Sequence, residues 1–545
     1  MSKRTGDEAS TTKSPKRPKG EAKSDDAVVN KFRWNLTELP SSQHRAGLAG
    51  LALSVELLKR KRDREGVCEI EAIDEDGLTL AVDRRGMQSL FDDLYAATHE
   101  QSLVKKKWAG DEPEGEVEVE VTDEKTGETK REKRFVYKRV APAGVLLDEL
   151  EQQHDGTKPW LKLWRDVLWA TLHNRARGQY ESRANGLAVD DGGKAWDAIR
   201  KAPFKAVALS GTFALGAEAA NDDAVAITDS ESNRLLLRFW RLVAVPYVVR
   251  IATRKEPDGT IKSPQYYAIA VPDVADLAGF VAAWPNIIAQ RSGQRYLFRP
   301  RDSIVDVASE AGLDAARRAN AVVAVGQGAA ARGLFRAVDV LHVVEGVVSA
   351  QSRVDIVRTM VDEYARVRAV AYRSPIFRRR RVENVLDCSA WWVGFARLCS
   401  LTPHEMTIGH REFRHDCRQA FKETEMKEDT AEADQTLEHL IYRRVQAYVL
   451  GKTDRKYDLS WQKAQGNAGD EKEYRDKREK VAREAFLAVR SRTGADFVAY
   501  FTSTLCSVPQ HTSEAKYLEI ARALMDPASI ERVRSLTLLA LSAVA

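Results

Sequence analysis

The chain has 545 residues, of which 43% are apolar and 30% charged, with a formal net charge of +5. That length exceeds one ordinary core and predicts two or three domains. No apolar run has the length of a membrane span, no secretory leader is expected, and five scattered cysteines exclude a disulfide framework. A reducing, cytoplasmic setting follows as the expectation. The bases are clustered, and clustered bases can hold phosphates even where acids elsewhere cancel the sum.

Residues 1–30 read as a disordered basic tail, rich in Ser, Thr, Lys and Pro. Its "KSPKRPK" resembles a nuclear import signal, with a solubilising arm as the alternative. Order begins near Phe32. Ser42 to Leu58 reads as a helix capped by Ser42, with Leu48, Leu51, Leu53, Val55 and Leu58 on its apolar side. Gly47 and Gly50 suit close packing against a neighbour. His44 and Arg45, at its mouth, read as structural rather than catalytic. The bases closing it, "KRKR", suit the helix dipole and are a candidate nucleic-acid face. "CEIEAIDEDGLTLAVD" predicts a hairpin turning at Asp76 and Gly77. A helix is expected from Gly86 to about Leu103.

Val117, Val119 and Val121 alternate with Glu116, Glu118 and Glu120, which is strand periodicity. A Thr-Gly turn and a basic return strand follow. Acids on one strand can neutralise bases on the next. Lys105, Lys106 and Lys107 precede this pairing, and Lys138 and Arg139 extend past it. The segment of about 105–140 is therefore a candidate basic finger, with Lys130, Arg131 and Arg134 on its return strand.

Trp160, Trp164, Trp169 and Trp196 lie in a helical stretch and read as core rather than as a base-stacking platform. His173, Arg175 and Arg177 follow within reach of solvent. From Phe204 to Val271 the chain is strand-rich, with a long hairpin turning at "EPDG". Arg250, Arg254, Lys255 and Lys262 stand toward its tip. After Asp273 the pattern reads as helical throughout. The consecutive Arg378, Arg379, Arg380 and Arg381 mark a domain boundary and a further candidate phosphate contact. Beyond it about six helices are expected. One carries Leu437, Leu440, Ile441, Val445, Tyr448 and Val449 as a stripe, opened by Asp429 with Glu432 three residues on.

Several apparent catalytic signals fail on spacing. His404 and His410 are six apart, about 240° out of phase on a helix, so "HEMTIGH" is not a zinc-protease motif. Cys388, Cys399, His404, His410, His415 and Cys417 lack the close ligand pairs of a structural zinc site and read as buried thiols and helix histidines. "AVVAVGQGAAARG" places Gly326, Gly328 and Ala331 like a dinucleotide fingerprint, with Glu345 downstream. It lacks flanking βαβ units and reads instead as a turn between helices. No Walker loop or nucleophile elbow is present.

"WNLTELPSSQHRAGLAGLAL", "LRFWRLVAVPYVVRI", "PQYYAIAVPDVADLAGFVAAWP", "FVAYFTSTLCSVPQH" and "LTLLALSAVA" together resemble the large subunit of type I CRISPR surveillance complexes, in its Myxan-type variety. The likeness runs from about residue 32 to the C-terminus. It implies a non-catalytic component without cofactor or metal. Its partners would be crRNA and target DNA, other effector subunits and a separate helicase-nuclease, with no membrane. Such a subunit senses the flanking motif and supports R-loop formation.

The fold class expected is multi-domain α+β. Residues 31–380 form a mixed α/β part with antiparallel hairpins, and residues 381–545 an all-α helical bundle. The candidate nucleic-acid contacts are Lys105, Lys106, Lys107, Lys130, Arg131, Arg134, Lys138, Arg139, Arg254, Lys255 and Arg378 to Arg381. A metal-dependent nuclease and a protein-binding adaptor with a basic surface are the alternative readings.

Overall fold

The computed structural model describes residues 28–545 apart from 62–63, 108–109, 111, 123–128, 150–158, 170–172, 210–226, 251–253, 256–260, 263–265, 292, 297–298, 327–332, 427–435 and 509–513. The basic tail up to residue 27, the "EPDG" turn, the Thr-Gly turn, Asp429 and Glu432 lie outside the described residues.

The fold is α+β, with small antiparallel sheets in front and helices behind. A five-stranded sheet forms the centre, in the order Ile304–Val305, Val245–Val249, Tyr266–Val274, Phe335–Val344, Val347–Asp355. Its neighbours run antiparallel except the short parallel pair at the Ile304–Val305 edge. The middle strand, "YYAIAVPDV", is buried at almost every position. Such a continuous run is what a strand covered on both faces requires. The helices Ser42–Leu58 and Glu310–Gly326 both pack on it.

The first helix forms as expected, one residue after its cap. Ser41, not Ser42, is the N-cap and accepts from the His44 amide. Gly47 and Gly50 lie against the backbone of Leu236 and Phe239, where a Cβ at either position would strike a carbonyl oxygen. His44 bridges Ser41 Oγ at 2.7 Å and Asp229 at 2.8 Å. Its burial holds the imidazole pKa below the usual value against the pull of Asp229. Arg45 pairs with the buried Asp273, which also accepts from Arg353 at 2.7 Å. Both residues tie the helix to its surroundings.

The Asp76–Gly77 hairpin forms between Cys68–Ile73 and Gly77–Val82, and Asn30–Asn35 pairs on the other side of the second strand. Trp160, Trp164 and Trp196 are core. Trp164 donates to the Arg241 carbonyl at 3.0 Å, and Trp196 to that of Val82 at 3.3 Å.

Three elements differ from the sequence reading. The helix expected to reach Leu103 is Arg84–Leu94, followed by a strand at Ala97–Val104. That strand pairs with Thr129–Pro142, and this distant partner overrides local helix preference. The stretch after Asp273 is not helical throughout, because Phe335–Val344 and Val347–Asp355 form a hairpin. It turns at Glu345 and Gly346, both at positive φ (50° and 86°), as a tight right-twisted hairpin demands. The run before Gly326 ends the helix Glu310–Gly326, and the next described element is that strand hairpin, not a helix.

The last strand ends at Asp355, and every described element beyond it is helical. The helix Pro527–Val544 runs through the middle of this half and is buried without a break from Val533 to Val544. A helix apolar all round needs neighbours all round. Arg411–Met426, Leu437–Tyr457, Ala468–Arg490 and Glu514–Met525 supply them. The expected stripe from Leu437 to Val449 is buried at all six positions.

Candidate nucleic-acid interface

The charged finger is a three-stranded sheet with Thr129–Pro142 in the middle, Ala97–Val104 on one side and Gly115–Thr122 on the other. Its alternation of Val and Glu against Lys and Arg places opposite charges on facing strands. Arg131 pairs with Glu120 at 3.2 Å, and Lys133 with Glu116. Glu132 is shared by Lys105 at 3.0 Å and Arg134 at 2.7 Å. The hydrogen bond from Lys105 is the main reason the Glu132 carboxyl sits below its usual pKa. Arg139 turns inward to Asp166 at 3.3 Å, where burial lowers its own pKa. Among the described residues, Lys106, Lys107 and Lys138 are exposed without an ion pair, and Lys107 lies over the Phe135 ring. Lys130 stands opposite Val121, and Arg254 and Lys255 form a two-residue strand facing Ile261–Lys262.

The run Arg378 to Arg381 falls inside the helix Pro375–Leu386. Successive helical residues turn by about 100°, so four in a row cannot face one ligand. Arg378 points to Asp306 and Glu310, at 2.9 Å and 2.8 Å. Arg380 donates to the Val393 carbonyl and to Glu383, and the buried Arg381 to Glu363 at 3.0 Å. Only Arg379 is exposed, and it pairs with Glu383. The run is thus mostly a set of internal ties.

Arg378 also reaches the floor of an open cleft of about 590 Å³ at the seam between the central sheet and the helical half. Six arginines line it, Arg250, Arg295, Arg301, Arg368, Arg373 and Arg378, against one acid, Asp302. Sequence reasoning named only two of them, Arg250 as part of a hairpin tip and Arg378 as part of a run. Arg250 and Arg378 share the buried Asp306, at 3.3 Å and 2.9 Å. Burial raises the Asp306 carboxyl, and Arg378 pulls it back. Arg368 lies 3.8 Å from Glu310, which also accepts from the Tyr364 hydroxyl at 2.9 Å. Arg318 draws on Asp302 at 3.6 Å.

The remaining three arginines are exposed, and among the described residues none has an acidic partner: Arg295, Arg301 and Arg373. A small hairpin, Arg295–Tyr296 against Arg299–Pro300, presents the first of them beside the exposed Tyr296. The Arg301 amide bonds to the Gln294 carbonyl at 2.8 Å, fixing the turn below. Arg373 is set by its own backbone, because its amide and that of Ser374 donate to the buried Asp416, Ser374 at 2.6 Å.

A second cleft, of about 410 Å³, holds Lys61, Arg64, Arg84 and Arg85 at the end of the first helix. Its bases are largely compensated. Lys61 pairs with Asp93, Arg64 with Glu69 and Arg84 with Asp190. Among the described residues, no group of three or more His, Cys, Asp or Glu side chains is arranged to hold a metal ion, and no helix is long and apolar enough to cross a membrane.

The Type I-B CRISPR Cas8b N-terminal domain matches residues 67–328, and the Type I-B CRISPR Cas8b C-terminal domain matches residues 335–544. The chain belongs to the Cas8b family. It is thus a large subunit of a type I CRISPR complex, as the sequence resemblance implied. No curated protein matches the chain significantly. The join between the two Cas8b domains falls inside the central sheet, since Tyr266–Val274 pairs with Phe335–Val344 across it. The arginine cleft likewise draws Arg250, Arg295 and Arg301 from the first Cas8b domain and Arg368, Arg373 and Arg378 from the second.

Proposed function

We propose that this Cas8b chain acts without catalysis of its own, holding crRNA-guided target DNA in a cytoplasmic effector complex with the other subunits. The observation that carries the reading is the arginine cleft, where Arg295, Arg301 and Arg373 are exposed without acidic partners among the described residues. Exposed, uncompensated guanidinium groups bind phosphate by releasing its counterions. Lys106, Lys107 and Lys138 on the finger add a second contact, and Arg254 and Lys255 a third.

In this reading the mixed front, residues 31–380, senses the flanking motif and helps open the duplex. The helical rear, residues 381–545, steadies a separated strand. Guide–target pairing carries the sequence information, and a separate helicase-nuclease cuts. Opening each step must offset stacking of ~1.4 kcal/mol, which backbone contacts can supply.

Co-purification tests the role. The chain expressed with its neighbouring subunits and a guide RNA should elute as one ribonucleoprotein that retains matching DNA. Elution of the chain alone, or DNA retention independent of the guide, overturns it. Incubating the pure chain with labelled DNA or RNA and Mg²⁺ or Mn²⁺ should leave the nucleic acid intact. Cleavage abolished by substituting one acidic residue would favour the nuclease alternative.

A further inference from the structure

The cleft has two walls that belong to different parts of the fold. Arg295 and Arg301 stand on the sheet side, in the hairpin and turn between residues 294 and 303. Arg373 stands on the other side, between the helices Arg358–Val370 and Pro375–Leu386. Below them the seam is closed by acids of the sheet side, Asp306 and Glu310, held by Arg378 from the helical side. Those acids are already engaged by Arg378, Arg250 and Arg368. They leave little charge to offset the three exposed arginines above. Asp302, the one acid of the lining, is drawn to Arg318 at 3.6 Å, so the rim is dominated by like charges on its two walls, which works against the docking beneath it.

We propose that this cleft clamps a single-stranded phosphodiester between its two walls, and that the seated strand strengthens the docking of the helical half on the sheet. The proposal rests on the nucleic-acid reading above and adds a ligand form and a linkage to it. A phosphate placed between Arg301 and Arg373 turns mutual repulsion into shared attraction. Any ligand that binds the docked arrangement better than the loosened one stabilises docking by the same amount that docking improves binding.

Size and lining select a single strand. A volume of about 590 Å³ is that of a small-ligand pocket and takes one or two nucleotides, not a duplex. Tyr296, 62% exposed at the rim, offers a ring on which an unpaired base can stack. Basic walls with an aromatic face are the combination that holds single strands irrespective of sequence.

Amide hydrogen exchange on the full chain at low salt tests the clamp. The probes are a short oligothymidylate, the same length of duplex, and inorganic pyrophosphate. The single strand should slow exchange in residues 358–386 several-fold, pyrophosphate less at equal concentration because it has no base to stack on Tyr296, and the duplex should not. Arg301→Ala and Arg373→Ala, on opposite walls, should each abolish the slowing while the melting point without ligand is unchanged or raised. Tyr296→Ala should weaken oligothymidylate on the order of tenfold, and Tyr296→Phe should not.

If oligothymidylate binds but leaves residues 358–386 unprotected, the clamp is wrong and the nucleic-acid reading stands. Equal protection by pyrophosphate or duplex overturns the assignment to a single strand. Protection that survives both arginine substitutions puts the strand elsewhere and overturns the clamp. If neither the chain nor its assembled complex binds nucleic acid, the functional reading fails and the clamp with it.

Discussion

Arg378 and Glu310 meet across the seam between the central sheet and the helical half, Nη2 to Oε1, at 2.8 Å. Glu310 is fully buried and Arg378 nearly so. Removing one partner of such a pair leaves the other charged and dry, at a cost of about 3–5 kcal/mol. Glu310→Ala should lower the urea-unfolding free energy by that amount, because it deprives Arg378, Arg368 and the Tyr364 hydroxyl at once. A loss below about 1 kcal/mol would mean that the seam is held by apolar packing alone.

Asp314 sets a pH dependence. Burial pushes its carboxyl upward, but Arg318 and Arg317, at 2.8 Å and 2.9 Å, outweigh that and hold it well below the usual carboxylate range. A carboxyl lowered by folding stabilises the fold fully above its unfolded pKa of about 3.9 and loses that contribution progressively as the pH falls from there through its lowered folded pKa. Asp314→Asn should therefore be less stable than the parent at pH 7, and the gap should begin to narrow below about pH 4 and keep shrinking toward lower pH. Urea unfolding of both chains from pH 7 to pH 3 checks this. A gap that does not vary with pH would contradict it.

Three of the five cysteines should behave as core residues rather than as ligands, while Cys388, read from the sequence as buried, is exposed. Cys399 and Cys417 are fully buried, and burial pushes the Cys399 thiol up to about 12 and Cys417 well above its usual value. Cys68 is raised to about 12 for the same reason. Neutral thiols react slowly and bind metals poorly. A thiol-specific reagent should modify the exposed Cys388 quickly and these three only after unfolding. Rapid modification of Cys399 or Cys417 in the native chain would show that burial does not protect them.

On the finger, the unpaired lysines should carry the salt dependence. Lys106→Ala, Lys107→Ala and Lys138→Ala together should reduce the slope of log affinity against log salt by roughly 0.7–0.9 for each phosphate that is no longer neutralised. Fluorescence anisotropy with labelled DNA at graded salt measures it. An unchanged slope would leave the finger as a self-neutralised, solvated sheet.

What could be read from the sequence was what is local. The helix start near Ser42 (its cap one residue earlier, at Ser41), the Asp76–Gly77 turn and the Val–Glu alternation from Val117 each sit within a few residues, and each forms. The strand Ala97–Val104 was missed because its polar residues pair with a partner more than thirty positions away. Phe335–Asp355 had a signal, valine-rich runs around Glu345-Gly346, but helical expectations on either side masked it. The interface shows the same division. A run of four arginines draws the eye, yet a helix sends them in four directions. The cleft gathers single arginines from positions 250 to 378, which no local pattern joins.

The salt dependence of single-strand binding in an Arg295→Ala, Arg301→Ala, Arg373→Ala variant tests the central claim most directly. If these side chains hold the nucleic-acid backbone, affinity should fall and the slope should shrink by about 2, near 0.7 for each single-strand phosphate they neutralise. A variant with the parent's affinity and the parent's slope would show that the cleft is not where this subunit holds nucleic acid.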